Sequence, residues 1–156
     1  MPRLEDLSEI EGQGVLNFPF MAHDDSPCTP LRKPLSESRL ALVTTAGIHL
    51  RSDTPFFHGD QTYRAIPRDT PAKDILQSHV SIGFDRTPIY RDLNISFPAD
   101  RLKELAEQGV IGSLADPFYS FMGAQRDPRR IVEETGPEVA QRLKEEGVDV
   151  VLLTPS

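Results

Sequence analysis

Residues 137–153 read PEVAQRLKEEGVDVVLL, and residues 98–111 read PADRLKELAEQGVI. In the first stretch Val139, Ala140 and Leu143 share one helical stripe, Pro137 suits a first turn, and Gly147 stands where a left-handed residue closes a helix. The second stretch repeats the plan with Pro98, Leu102, Leu105, Ala106 and Gly109. Each helix is followed by a valine, in EEGV and EQGV, and residues 148–153 (VDVVLL) are too continuously apolar for a strand with one wet face. Two successive αβ units of this kind predict an α/β domain built on an open, mostly parallel, doubly wound sheet of the Rossmann or flavodoxin type.

Working outward, residues 39–45 (RLALVTT) form another buried-type strand ended by Ala46 and Gly47, and residues 118–122 (FYSFM) an aromatic strand ended by Gly123. Residues 47–70 read as a long excursion with a short strand at 63–66, and residues 75–84 as a strand or a strand with a turn. Residues 1–38 carry Pro19, Pro27, Pro30 and Pro34 and are expected to be an irregular arm wrapped on the domain of residues 39–156. A buried parallel strand needs a crossover helix, yet only Thr154, Pro155 and Ser156 follow Leu153, so the domain is expected to be incomplete at its C-terminus.

The 156 residues suit one domain, with 38% hydrophobic and 26% charged residues. A formal charge of −7, with no block of basic residues, argues against nucleic acid as a partner. No signal-peptide pattern or membrane-spanning run is present, which gives an expectation of a cytoplasmic protein without membrane association. The single cysteine, Cys28, has no disulfide partner within the chain and no nearby base, so it is a poor nucleophile candidate.

Ligands in open α/β sheets bind outside the carboxyl ends of the strands. Thr45, Ala46 and Gly47 after the first strand, Met122 and Gly123 after the aromatic strand, and Asn94 ahead of a helix are therefore the candidate substrate-binding residues. A turn that merely needs glycine is the more ordinary explanation of Gly47, and Asp85, Asp92 and Asn94 could orient a polar substrate but are also ordinary turn and cap residues. No GxGxxG or GxxxxGK[ST] sequence occurs, so the standard nucleotide fingerprints are missing. His23, His49, His58 and His79 lack metal-ligand spacing, so no metal is expected. His49 and His79 are the acid–base candidates, although lone histidines in such settings are more often structural. Ser120 could line a pocket or simply belong to the core.

In order, the segments PLRKPLSESRLALVTTAGIHLRSD, SHV, DLNISFPADRLKELAEQGVIG, FYSFMGA and GVDVVLLTPS resemble the selenoprotein B family of glycine, sarcosine, betaine and D-proline reductases, over residues 29–156. The resemblance implies that the last strand leads into a selenocysteine, or a cysteine, at position 157, beside Ser156. It implies selenol- or thiol-dependent reductive cleavage of a C–N or similar bond in a small molecule, with an external dithiol or thioredoxin-like donor and no bound cofactor. It also implies a pyruvoyl-bearing partner subunit, is compatible with a homo-oligomer, and makes the 156-residue form inactive. His79, as the acid–base group, and Ser156, adjacent to the nucleophile position, are then the catalytic-site candidates. Two other readings stay open: a non-catalytic ligand- or partner-binding α/β domain, and a thiol-independent enzyme built on His79 and Asp85.

Overall fold

The computed structural model describes residues 3–17, 24, 26, 29–81 and 84–155. In chain order the elements are α1 (Glu9–Leu16), β1 (Arg39–Thr44), β2 (Ile48–Leu50), β3 (Tyr63–Ile66), β4 (Ile75–Gln77), α2 (Thr87–Arg91), α3 (Ala99–Glu107), β5 (Ser113–Leu114), β6 (Phe118–Phe121), α4 (Gly136–Glu145) and β7 (Val150–Thr154).

β1 is the centre of the main sheet. β7 runs parallel to it from Leu40↔Val150 to Thr44↔Thr154. β5 pairs in parallel with its beginning and β6 with its end, at Arg39↔Ser113 and Thr44↔Ser120. A strand has two edges, so β5 and β6 lie one after the other along the edge opposite β7. β3 is antiparallel to β6 on the outside, giving the order β3–β6–β1–β7. The mostly parallel α/β sheet expected from the two αβ units is thus present.

Alternation along β1 explains how both faces are covered. Leu40 and Leu42 face a core containing Phe97, Leu102, Ile111 and Phe118, which α3 closes. Ala41 and Val43 face the other way, against Tyr119, Phe121, Val139 and Leu143, which α4 closes. Burying each large apolar side chain contributes about 1.5–3 kcal/mol, so the two helical stripes dominate the packing.

Both helices end alike. The Gly109 and Val110 amides donate to the Ala106 and Leu105 carbonyls, and the Gly147 and Val148 amides donate to Lys144 and Leu143. With φ of 72° and 71°, Gly109 and Gly147 are the left-handed residues of paired Schellman caps. The caps use up Val110 and Val148, so β5 begins at Ser113 and β7 at Val150, later than the sequence reading places them. A π-helical turn, Ile131–Thr135, leads into α4, and there a Cβ on Gly136 would collide with the Ile131 carbonyl.

Two further expectations need correction. The arm is not irregular throughout, because α1 forms at Glu9–Leu16. Ser8 and Glu11 make a capping box, the Ser8 amide donating to Glu11 at 3.0 Å, and no proline falls between Pro2 and Pro19. α1 buries no side chain, so this part does not wrap the domain. Residues 33–38 do dock: Lys33 pairs with Asp149 at 2.8 Å, and the Gly112 amide donates to the Leu35 carbonyl at 3.0 Å. The excursion after Gly47 also contains an unforeseen strand, β2, which pairs antiparallel with β4 from Ile48↔Gln77 to Leu50↔Ile75.

Candidate functional site at the carboxyl edge of the sheet

Because β1, β6 and β7 are parallel, Thr45, Met122 and Pro155 all leave the sheet at the same edge. Thr44 anchors this edge. Its hydroxyl lies 3.0 Å from the Ser96 carbonyl and 3.1 Å from the Thr154 carbonyl, and it accepts from the Ala46 amide at 3.2 Å. The Thr154 hydroxyl donates to the same Ser96 carbonyl at 2.9 Å, and the Thr45 amide donates to the Thr154 carbonyl. The loop ahead of α3 is therefore pinned over the ends of β1 and β7. Thr44→Val, which removes a buried hydroxyl and keeps the shape, is expected to lower unfolding stability by about 1–3 kcal/mol, read from the urea midpoint. An unchanged midpoint would contradict that anchoring role.

Asn94 belongs to the pinned loop, where its side chain is engaged in the turn. Its Nδ2 donates to Asp92 at 3.0 Å and Asp100 at 3.2 Å, and its Oδ1 accepts from the Asp100 amide at 3.1 Å. The Asn94 side chain and amide hold the Asp92 carboxyl below the usual carboxylate range. Asp85 is likewise lowered, first by accepting from the Thr87 amide, which occupies it at the start of α2.

The other expected binding residues divide between the two faces of the sheet. Thr45, Met122 and Gly123 line a hollow of ≈570 Å³ on the α4 face, together with Val139, Leu143 and Leu153. Its walls are almost entirely apolar side chains, and it opens to the surface beside the exposed Leu153. Ala46 is bridged to Met122 but buries its side chain in the α3-side core. Gly47 has φ of 65°, and a Cβ there would approach the His79 amide nitrogen to 3.1 Å. Gly47 thus makes the turn and permits the close passage of residues 78 and 79, whose Ser78 amide donates to its carbonyl at 2.9 Å.

His79 is buried at 1% exposure and stacks on Phe84 with centroids 4.2 Å apart. Its Nδ1 accepts from the Ser81 amide at 3.3 Å, and Arg86 donates to its carbonyl. His49 is also buried, on β2, with Nε2 2.9 Å from the Ser78 hydroxyl. His58 is exposed, and Ser120 is buried with its hydroxyl accepting from the Ile48 amide at 2.9 Å. His23, Cys28 and Ser156 lie outside the described residues. Among the described residues no three His, Cys, Asp or Glu side chains gather as a metal site, and no helix is long and apolar enough to cross a membrane.

Sequence reasoning passed over Ser96, Thr154 and Ser78. Ser96 and Thr154 join the site through contacts 52–58 residues apart along the chain. Ser78 joins His49 through the β2–β4 pairing. Periodicity carries no trace of either.

β7 closes the description. Among the described residues β1 is its one partner strand, and Val151, Leu152 and Leu153 are exposed, Leu153 at 67%. Parallel strands are ordinarily covered on both faces, so this apolar strip is a surface suited to being covered.

Residues 10–156 match the sequence model of the glycine/sarcosine/betaine reductase selenoprotein B family. The chain is 45% identical over 153 residues to the D-proline reductase subunit gamma of Acetoanaerobium sticklandii, covering 97% of this chain and 62% of that one. It is 31% identical over 144 residues to the glycine reductase complex component B subunit gamma of Symbiobacterium thermophilum, covering 88% of this chain and 33% of that one. To the sarcosine reductase complex component B subunit beta of Peptoclostridium acidaminophilum it is 29% identical, covering 88% and 32%. The chain thus spans about three fifths of the first of these relatives and about a third of the other two. No solved structure matches it.

Proposed function

Because this chain belongs to the glycine/sarcosine/betaine reductase selenoprotein B family, we propose that it is part of a multi-subunit, dithiol-dependent reductase that cleaves a carbon–nitrogen bond in a small amino-acid-type substrate. The observation that carries the reading is the 45% identity, over 97% of the chain, to a D-proline reductase subunit. D-proline is accordingly the first substrate to test, ahead of glycine, sarcosine and betaine.

In this reading the nucleophile is a selenocysteine or cysteine joined to Ser156, delivered by β7 to the edge where Thr44 and Thr154 hold the Ser96 carbonyl. A selenolate or thiolate attacks the carbon bearing nitrogen. The new bond to carbon forms as the C–N bond breaks, and nitrogen leaves with the electron pair and takes a proton. One thiol of the donor then attacks the selenium or sulfur, and the carbon departs with the electron pair and is protonated. The second thiol displaces the protein's selenolate or thiolate, so the donor ends as a disulfide and the substrate carbon gains two electrons. The donor is an external dithiol or thioredoxin-like protein, and a pyruvoyl-bearing partner subunit holds the substrate amine.

The chain's own contribution is positional. The apolar hollow beside Thr45, Met122 and Gly123 offers the substrate's carbon skeleton an apolar surface, which would shed its water once a partner covers the exposed side. His79, packed against Gly47 at the same edge, is the group assigned to carry a proton to the leaving nitrogen. The exposed apolar strip of β7 supports a partner-bound state, because it is the kind of surface that assembly covers.

The test is dithiol-dependent turnover of the four candidate substrates by the protein assembled with its partner subunits, followed by mass spectrometry of the products. Reductive ring opening of D-proline is expected. Absence of reductive cleavage of all four would overturn the reading.

A further inference from the structure

β2 and β4 bring together two residues that the reductase reading does not use. His49 Nδ1 lies 2.7 Å from the Leu50 carbonyl, which can only accept, so Nδ1 carries the ring proton. Nε2 is then the lone-pair nitrogen, and the Ser78 hydroxyl, 2.9 Å away, donates to it. The order hydroxyl, imidazole, fixed acceptor is the one that activates a serine as a nucleophile. Both partners are held rigidly. The ring is 2% exposed with its edge toward Phe56 at 6.4 Å, and the Ser78 amide is tied to the Gly47 carbonyl at 2.9 Å.

The pair is also on the wall of a second hollow, of ≈540 Å³, separate from the apolar hollow on the α4 face. That volume suits a small molecule. Lys73 and Arg91 stand in the same wall among Ile75, Ile89 and Leu93, so the hollow offers apolar surface with two cations. Cations beside a nucleophile favour a carboxylate on the ligand and the negative charge that develops on an attacked carbonyl.

We propose that Ser78 is a nucleophilic hydroxyl, with His49 as its general base, that is acylated by small carboxylate-bearing esters bound in this hollow. Oγ attacks the ester carbonyl carbon as its proton passes to His49 Nε2. The bond to the leaving alcohol breaks, and that alcohol takes the proton from His49. Water then attacks the acyl-serine by the same route and regenerates both residues, with no oxidation or reduction.

The full chain is treated with a fluorophosphonate probe and mapped by mass spectrometry, and its hydrolysis of p-nitrophenyl succinate and p-nitrophenyl acetate is followed. One adduct on Ser78 is expected, absent in Ser78→Ala, with the succinate ester preferred. His49→Gln should slow labelling by about 100-fold or more, the scale of a lost general base. Arg91→Gln should raise KM for the succinate ester more than it raises KM for the acetate ester. A chain with native circular dichroism that takes no adduct on Ser78 would overturn the proposal, as would a folded His49→Gln chain labelled at the wild-type rate. The wild-type adduct needs no variant, so it decides the matter even where His49→Gln fails to fold.

Discussion

If, as proposed, a selenocysteine or cysteine follows Ser156, replacing it by alanine is expected to lower dithiol-dependent cleavage by at least about 10³-fold, leaving only what binding and electrostatics supply. Cys28→Ser in the same protein should keep near-wild-type turnover, because the proposed reading gives the attack to the residue after Ser156 and the exchange to an external dithiol, and leaves Cys28 no step. The assay follows the reduced product and the oxidised donor together, since the chemistry requires one disulfide for each bond cleaved. Activity that survives the alanine replacement would take the nucleophile away from the end of β7. Activity lost with Cys28→Ser would move it to Cys28.

Phe118→Ala carries the largest expected cost to stability. Phe118 is fully buried on β6, edge-on to Phe97 with centroids 6.0 Å apart, and belongs to the core that α3 closes. Its strand lies between β1 and β3, so the cavity opens where neighbouring backbone is least free to collapse. Truncation of such a phenylalanine costs about 3–5 kcal/mol, against a total of about 5–15 kcal/mol for a typical domain. The urea midpoint should fall accordingly with little change in slope, and Phe118→Leu should cost less. A loss below about 1 kcal/mol for Phe118→Ala would show that the core does not run through β6.

The parts legible in the sequence are those set by local rules. α3 and α4 followed from apolar stripes closed by Gly109 and Gly147, and β1, β3 and β6 from short apolar or aromatic runs bounded by turn residues. The strand starts near Val110 and Val148 were misplaced because each valine completes the cap of the preceding helix before the chain can extend. α1 had a local signal, the Ser8–Glu11 capping box, which the prolines further along the arm obscured. β2 had none. Its three residues sit among Asp, Pro and Gly and become a strand only because β4 lies beside them.

The site divides in the same way. Thr45, Met122 and Gly123 were legible because strand ends in parallel sheets share an edge, and the structure places all three around one hollow. The same rule could not foresee that Ala46 would bury its side chain on the other face, since that depends on how Gly47 turns the chain. The Thr44–Ser96–Thr154 anchor and the His49–Ser78 pair arise from long-range contacts between segments with no shared pattern.

The most direct test of the reductase account is the codon that follows Ser156 in the messenger, read together with the downstream frame. The account predicts UGA, decoded as selenocysteine, or a cysteine codon, with the frame continuing into an amphipathic helix. A UAA or UAG codon there, or a sense codon for any other residue, would contradict it.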